Sequence, residues 1–485
     1  MTNGTEKLSF REKAGYGFGD LASVLFWQTI MVYLLFFYTD VFGLAAAAAG
    51  TMIAISRVLD AFFDVGIGMV ADRTATRWGK FRPYLLWMAV PLAVAAVLAF
   101  TTPDFSQSGK LIYAYATFIL FMFFYSAINI PYTSLLGVIS GDSAERTSAA
   151  SFKFMGAYIA GFIVSATALP MAKYFGEGND AKGWQITMAI YGVAAVIFFL
   201  ITFLSTRERI QPIATEKTSV RKDLADLVAN KPWMQLFAVT ILFILFVCIR
   251  MSVIAHYFKY YVGEQHVTLF GSTYTYGFEI LASAFNAVGQ GLSLLGVILV
   301  PWFSRLLGKK NAVIVLFVVA MICTGSYIFF DPADLILIFV FQIFGSVTGG
   351  PVSTLLWAMY ADTADYSEWK TGRRATGLVY SASIMSNKIG WAVGAVIAGS
   401  LLAVTGFQAN VAQNADVLTG LKAMMSVLPV AAGLLALIIL FFYRLDDTTM
   451  KKIGEELEAR RKESTGAASG TIGQSTELGP EENTP

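Results

Sequence analysis

Apolar residues along this chain are grouped into long runs, which short polar connections separate. Runs of about 20 apolar residues are typical of helices that cross a lipid bilayer. The sequence therefore predicts an all-α membrane protein with twelve transmembrane spans. Numbered in chain order, the predicted spans cover residues 16–39, 45–70, 83–102, 110–140, 148–172, 183–206, 233–262, 275–303, 311–331, 334–357, 375–405 and 419–443.

The longest connection, residues 207–232, divides the spans six and six and is predicted to be a cytoplasmic loop. It separates an N-terminal six-helix bundle (16–206) from a C-terminal one (233–443). A polar N-terminus (1–15) precedes the first bundle. A tail (444–485) follows the second. The tail begins as a charged segment predicted to be helical and ends in a stretch with too few apolar residues to fold, which is expected to be disordered.

The two halves also share a sequence pattern. The stretch NIPYTSLLG in span 4 matches GGPVSTLLW in span 10, so that Pro131 corresponds to Pro351. Each stretch is followed by a connection that is first acidic and then basic. Two related halves of six spans are the architecture of the major facilitator fold.

The composition agrees with a membrane protein, since 56% of the 485 residues are hydrophobic and 14% are charged. A soluble domain carries about 25% charged residues. The lipid bilayer is therefore an expected partner. With a net charge of +2, nucleic acid is not.

Lysine and arginine are divided unevenly between the two sets of connections. Most of the 35 fall at the N-terminus, after even-numbered spans, in the central connection and in the tail. Because cytoplasmic loops carry an excess of these residues, both termini are predicted to be cytoplasmic. The expected location is a cell membrane, with a bacterial inner membrane favoured. The opposite, predicted external connections hold Lys110, Lys173, Lys182, Lys259 and Lys422.

Span 2 contains three charged residues, Arg57, Asp60 and Asp64, within the stretch RVLDAFFD. Spacings of three and four residues place them on one face of a helix. Each charge near the bilayer centre costs about 2.5–3.5 kcal/mol. We therefore expect this face to look into the helix bundle and not toward lipid.

Two interpretations of this face are open. In the first, Arg57 and Asp60 form an internal salt bridge that only locks the helix. That pair leaves Asp64 without a counterion, and two acids four residues apart repel each other unless a cation lies between them. In the second, the helix holds a transported cation, Na⁺ or H⁺, because carboxylate oxygens suit hard cations.

Spans 4 and 11 contribute further polar residues. Ser126, Asn129 and Thr133 lie on one face of span 4, where the first two could complete a Na⁺ site or form a polar packing pair. Pro131 is expected to break the backbone bonding, and non-helical backbone at membrane depth lines cavities. Lys388 has no acid in its own span, so the span 2 aspartates are its expected partners. Snorkelling to the interface is the alternative.

Five segments resemble, in the same order, the motifs of the glycoside–pentoside–hexuronide:cation symporters: YGFGD, FYTDVFGL, RVLDAFFDVGIGMVADRTATRWGKFRPYLL, NIPYTSLLGVISGDSAERTS and DYSEWKTGRRATGLVYSASIMSNKIG. The resemblance extends over about residues 10–445. It implies secondary active symport of a sugar (a glycoside, pentoside, oligosaccharide or hexuronide) with Na⁺ or H⁺ by alternating access. Besides the coupling ion it implies no cofactor, and the chain is not expected to be an enzyme.

The resemblance also implies roles for single residues. Asp60 and Asp64 stand where the melibiose carrier of that family has its cation-binding acids. Ser126 and Asn129 match its cation positions in span 4, although that carrier has an aspartate in place of Asn129. Lys388 matches the lysine that joins the cation and sugar sites. Arg57 is placed with it as a coupling residue. The gating loop of the fold is matched by Asp72, Arg73 and Arg77, for which positive-inside anchoring is the alternative role.

The expected sugar differs from melibiose. Val24 stands where the melibiose carrier has a sugar-binding aspartate, and Thr133 replaces a tryptophan. Lys153 would suit a carboxylated sugar. Arg250 could contact substrate or, the favoured alternative, steady span 7. The candidate substrate residues are Asp20, Gln28, Thr133, Lys153, Trp357 and Tyr380.

Alternative functions come from other classes. A lipid or drug carrier could use the same fold, and an uncoupled facilitator would need no ion-coupling acids. An enzyme would need a catalytic constellation. His256 and His266 are placed at an outer connection and lack the HExxH spacing of a zinc site.

Overall fold

The computed structural model describes residues 7–74, 76–140, 143–209, 227–269, 272–371, 376–457 and 459. Helices form nearly all of it, and ten of the described helices are long and apolar enough to cross a membrane. The two other predicted spans are span 2, which carries the three charges, and span 3, which is divided into two short helices. The twelve-span major facilitator fold is thus confirmed.

The helices follow the predicted spans closely. In the first half they are Phe10–Phe36 with a π-helical continuation Phe37–Val41 (span 1), Ala46–Arg73 (span 2), Arg82–Trp87 and Ala89–Ala99 (span 3), Gln107–Val138 (span 4), Ser143–Gly176 (span 5) and Asp180–Ser205 (span 6). In the second half they are Lys231–His256 with a π-helical continuation Tyr257–Val262 (span 7), Phe278–Ile298 and Val300–Leu307 (span 8), Lys309–Gly325 with the 3₁₀ turn Ser326–Phe329 (span 9), Leu335–Thr371 (span 10), Thr376–Val404 (span 11), and Ala415–Met425 and Val427–Phe441 (span 12).

Three spans are interrupted, and proline explains each interruption. A proline lacks the backbone N–H, and its ring clashes with the carbonyl four residues earlier, so helical bonding fails just before it. The breaks lie at Met88 ahead of Pro91, at Leu299 ahead of Pro301 and at Ser426 ahead of Pro429.

Other boundaries correct the sequence-based expectations. Span 10 continues to Thr371 and not 357, because no glycine or proline stands between Pro351 and Thr371 to end it. Pro131 lies inside a continuous span 4 helix, so the expected non-helical backbone is wrong. Span 1 begins at Phe10 and not at 16, since Ser9 and Glu12 form a capping box there.

Two further elements lie outside the spans. The antiparallel strands Gln265–Leu269 and Ser272–Tyr276 form a hairpin before span 8, where the sequence predicted no strand and began the span at 275. The predicted helix at the start of the tail is confirmed over residues 447–457. Most of the central connection and the tail beyond 459 lie outside the described residues.

The two halves pack through three helix pairs: spans 1 and 7, spans 2 and 11, and spans 5 and 8. Spans 2 and 11 approach closely at Gly50 and Gly399, where a Cβ added to Gly399 would lie 3.0 Å from the Cα of Gly50. Small residues allow this kind of helix crossing. Spans 4 and 10, over their described residues, do not form a comparable interface.

A polar cluster around Asp40 joins the halves at the end of spans 1 and 7, which is predicted to be external. The Asp40 side chain is fully buried. Its carboxylate accepts hydrogen bonds from the Lys259 ammonium at 2.9 Å and from the Tyr260 hydroxyl, and it lies 3.2 Å from His256 Nε2. Asn410 donates to the Asp40 carbonyl at 2.7 Å. This arrangement closes the predicted external end, and we call these five residues the Asp40 cluster.

The Asp40 cluster corrects one expectation. His256 is completely buried within the bundle and is not at an outer connection. Its place follows from the length of the span 7 helix, which continues to Val262 beyond the histidine.

The substitution Asp40→Asn is expected to open the predicted external end. Removing one partner of a buried ion pair costs about 3–5 kcal/mol. Cys248 is buried between the halves and lines a small void with Arg57 and Trp391. In a Cys323→Ser background, its labelling by a membrane-impermeant thiol reagent added outside should accelerate by about tenfold or more in Asp40→Asn.

The matched control is Asp331→Asn, because Asp331 lies on the same predicted side with a side chain that is 78% exposed. Its labelling rate should equal that of the parent. An equal rate in Asp40→Asn would show that the cluster does not hold the external end closed.

Candidate functional site

The span 2 helix presents its three charged residues to the second half of the protein. Arg57 and Asp60 are only 2% and 3% exposed, and Asp64 lies one turn further along the same face. This face packs toward span 11. The prediction that these charges look into the bundle is consistent with their burial.

Lys388 of span 11 reaches across to both carboxylates. Its ammonium lies 3.0 Å from Asp60 Oδ2 and contacts Asp64 Oδ2 directly. The Ser126 hydroxyl of span 4 donates to the other Asp60 oxygen at 2.7 Å. The contact expected from the sequence is therefore present, whereas a role for Lys388 in coupling stays a prediction.

Arg57 takes part in this site without pairing with Asp60. Its guanidinium carbon lies 4.2 Å from the centre of the Trp27 ring, which is a cation–π contact. One guanidinium nitrogen lies 3.5 Å from the sulfur of Met31. No ion pair joins Arg57 and Asp60 among the described residues, so the interpretation as a locking salt bridge within span 2 does not hold.

A cavity of about 250 Å³ lies beside the four charged residues Arg57, Asp60, Asp64 and Lys388. At about 30 Å³ for each water molecule, it has room for an ion with several waters. Carboxylate, hydroxyl and amide oxygens are the ligands that hard cations prefer. The lining comprises Trp27, Arg57, Asp60, Asp64, Tyr125, Asn129, Ile384, Asn387, Lys388 and Trp391.

The Lys388 ammonium lies between the two carboxylates, where a bound cation would contact both. A lysine ammonium is a compact point charge with three donors. In this structure it therefore does for Asp60 and Asp64 what an ion would do. An ion and Lys388 would compete for the same oxygens.

Asp20 and Lys153, both candidate substrate residues, pair with each other. Their charged atoms are 3.8 Å apart, and the Lys153 ammonium lies 5.5 Å from the centre of the Tyr132 ring. Neither residue lines the cavity beside Lys388. Since Asp20 already offsets the charge of Lys153, the structure gives no specific support to the expectation that Lys153 suits a carboxylated sugar.

The remaining candidate substrate residues are scattered. Gln28 is buried, and its amide nitrogen has no hydrogen-bond partner among the described residues. Thr133 is exposed on span 4. Trp357 packs beside Tyr360 within the second half. The structure does not bring these three residues to the cavity of span 2, and their roles stay predictions.

The candidate gating loop is held by contacts inside the first half. The Glu208 carboxylate accepts hydrogen bonds from the backbone N–H groups of Lys80, Phe81 and Arg82 at 2.7–2.9 Å. A carboxylate at the start of a helix is stabilised by the helix dipole. Arg73 is exposed, and Arg77 lies over the neighbouring Trp78 ring. Asp72 and Tyr380 lie outside the residues whose side chains are described.

Sequence reasoning missed several residues that matter here. Tyr125 and Asn387 line the cavity, and each directly precedes a residue that was singled out, Ser126 and Lys388. Asp40 was missed too. Its signal was an acid at the end of span 1 together with bases at the end of span 7, which are corresponding positions in the two halves.

Comparison with known proteins agrees with the fold. Residues 15–447 match the family model described as MFS/sugar transport protein. A solved structure of a bacterial homologue of the human lysosomal transporter Spinster has a TM-score of 0.65 at 15% identity. The match covers 92% of this chain and 98% of that protein. At that identity the likeness concerns the fold alone.

Two curated relatives are more similar in sequence. The inner membrane symporter YicJ of Escherichia coli (strain K12) is 36% identical, covering 93% of this chain and 96% of that protein. The isoprimeverose transporter of Lactiplantibacillus pentosus is 35% identical, covering 92% of this chain and 90% of its own. The chain therefore belongs to the MFS/sugar transport protein family, which confirms its resemblance to the glycoside–pentoside–hexuronide:cation symporters.

Proposed function

We propose that this protein is a secondary active symporter that couples the entry of a cation to the uptake of a sugar. Relatives named a symporter and an isoprimeverose transporter support this function. The observation that carries it is the Lys388 ammonium placed between Asp60 and Asp64 across the two halves. The termini and the central connection lie on the cytoplasmic side in this proposal.

Charge balance gives the site its coupling property. In their ordinary ionised forms Arg57 and Lys388 offset Asp60 and Asp64, so the four charges sum to zero. The empty carrier therefore has no net charge at this site when its two halves move between the outward-facing and inward-facing states. An entering cation takes oxygens from Lys388, because both bind the same carboxylates. The released ammonium becomes a hydrogen-bond donor beside the cavity, where a sugar hydroxyl can accept from it.

The energy available from this coupling follows from the membrane potential. A potential of 100 mV supplies about 2.3 kcal/mol for each charge moved. At about 1.4 kcal/mol for each factor of ten, one coupled charge supports roughly 50-fold accumulation of a neutral sugar. The coupling ion is Na⁺ or H⁺. Asn129 adds an amide oxygen that can coordinate Na⁺ and does not itself titrate.

Two other functions make different demands on the cavity. A lipid or drug carrier needs an extended apolar surface, whereas two acidic and two basic side chains line this cavity. An uncoupled facilitator needs no acids at all. Uptake by reconstituted protein, with Na⁺ and pH varied separately and a panel of neutral and anionic sugars, distinguishes these functions from symport.

The substitution Asp64→Asn is expected to abolish cation-driven accumulation. It keeps the shape of the side chain but removes one of the two negative charges that a cation requires. In proteoliposomes at 100 mV the accumulation ratio of a neutral sugar should fall from roughly 50 toward 1, while downhill sugar movement or exchange remains; for an anionic sugar the same loss is measured under an imposed ion gradient. Asp104→Asn, at an exposed acid on the predicted external side, is the control and should accumulate sugar like the parent. Undiminished accumulation in Asp64→Asn would contradict the ion site.

The substitution Lys388→Ala is expected to impair coupling in a different step. Without the ammonium, the empty site retains uncompensated negative charge, so its return across the membrane becomes slow. Net uptake should fall by about tenfold or more, while sugar exchange, which needs no empty return, continues. Measuring both fluxes in one preparation separates the two steps. Lys422→Ala provides the control, and normal net uptake by Lys388→Ala would refute its partnership with span 2.

A further inference from the structure

A second cavity, of about 340 Å³, lies mainly in the C-terminal half and is not used by the ion site. Trp391 lines both this cavity and the one beside Lys388. Tyr158 of span 5 contributes from the other half, so the cavity lies between the halves. Its polar lining is formed by Tyr158, Arg250, Asn286, Gln290, Ser293, Thr324, Gln342, Ser346 and Ser353.

Arg250 is the only charged residue among those that line this cavity, all of which are described. One of its guanidinium nitrogens donates to Gln342 Oε1 at 2.6 Å. Its guanidinium carbon lies 5.0 Å and 5.4 Å from the ring centres of Tyr327 and Phe285. These contacts orient the guanidinium group without neutralising its charge. No carboxylate forms an ion pair with Arg250 in the described part of the chain.

Three lysines within the spans, unlike Arg250, have a carboxylate partner: Lys153, Lys259 and Lys388 each lie within 4 Å of one. Arg57 has no ion pair among the described residues, but it shares its cavity with Asp60 and Asp64. A charge at membrane depth is expensive and is normally paired. An arginine that faces a cavity without an acid is therefore in place for an anion supplied from outside the chain.

The neighbouring groups add donors. Among the described residues, Arg250 Nε is buried and has no hydrogen-bond partner, and the same is true of Asn286 Nδ2, whose residue is 7% exposed. Unsatisfied buried donors are rare, because each forfeits the hydrogen bonds it made with water. Both ends of the Gln342 amide already have partners, because its oxygen accepts from Arg250 and its nitrogen donates to the Phe285 carbonyl at 3.3 Å. A guanidinium without a carboxylate partner, together with the neighbouring Asn286 amide donor, matches an oxyanion.

We propose that this cavity binds an oxyanion substituent, a carboxylate or sulfonate, on the transported sugar, and that Arg250 selects for it. The proposal rests on the sugar symport proposed above and names the substrate class of that function. The planar guanidinium presents parallel N–H donors that fit two oxygens of one anionic group. The sugar ring then extends past Trp391 toward Lys388.

Matched pairs of sugars test this selection. Methyl β-D-glucuronide and methyl β-D-glucoside differ only in a carboxylate against a hydroxymethyl group, and the corresponding galacturonide and galactoside form a second pair. Dissociation constants are measured on purified full-length protein in nanodiscs, with Na⁺ and pH fixed. The wild type should prefer the anionic member of at least one pair by about 10- to 100-fold, the worth of a charged hydrogen-bonded pair.

Two substitutions then assign the preference to Arg250. In Arg250→Gln it should disappear, because the anionic member should lose about 10- to 100-fold more affinity than the neutral glycoside. In Gln342→Glu it should also disappear, because the new carboxylate supplies an internal partner for an intact Arg250. Arg305→Gln removes an exposed arginine of span 8 and should leave the preference unchanged. A sulfonated glucoside distinguishes the two anion types: preference for it over the glucuronide assigns the sulfonate.

The outcomes separate this proposal from the one on which it rests. A wild type that binds neutral and anionic members equally, or a preference that survives in Arg250→Gln, overturns the anion subsite and leaves sugar symport intact. A wild type that binds no member of either pair, at any Na⁺ concentration or pH, counts against both.

Discussion

The arrangement of this protein depends on one electrostatic constraint: two carboxylates of span 2 share a single lysine of span 11. Asp60 and Asp64 cannot both stay ionised at membrane depth without a cation, and Lys388 supplies it from the opposite half. The glycine crossing at Gly50 and Gly399 brings the two helices close enough for this contact. Backbone packing and charge pairing thus fix the same helix pair.

This constraint connects the ion to the sugar. Whatever cation enters the carboxylate pair must displace Lys388, which then faces the cavity that a sugar would share. If the sugar is neutral, one inward charge moves with it. If the sugar is a monoanion held by Arg250, sugar and a monovalent cation together carry no net charge, so the ion gradient alone and not the membrane potential would drive uptake. In the proposed symport, the two cavities would therefore set the driving force as well as the specificity.

Much of this architecture could be predicted from the sequence. Apolar runs located all twelve spans, although the predicted bounds missed the start of span 1 and the end of span 10. The charge of Lys388, unpaired in its own span, pointed to Asp60 and Asp64. The interruptions at Met88, Leu299 and Ser426 were not predicted, although each precedes a proline. Membrane helices tolerate some prolines, as span 4 does at Pro131, and the sequence alone does not say which will break a helix.

Tertiary contacts were harder to predict than elements. Asp40 was overlooked because acidic residues are common in the connections at the ends of spans. Its burial and its hydrogen bonds depend on the position of span 7, which the sequence does not give. Arg250 was interpreted as steadying its helix, since no sequence pattern shows whether a second-half cavity lies before it. The role of Glu208 could not be predicted either, because its partners are backbone N–H groups, which carry no sequence signal.

The Asp40 cluster has one more consequence. Several donors from span 7 and one from the connection before span 12 converge on Asp40, a single acceptor residue whose side chain has no contact with solvent. The Asp40 cluster should have no stable, partly open state. Water that breaks one of its hydrogen bonds also hydrates the carboxylate, which weakens the remaining hydrogen bonds at the same time. The outer face should therefore switch in an all-or-none manner, which limits the leakage of ions through partly opened molecules.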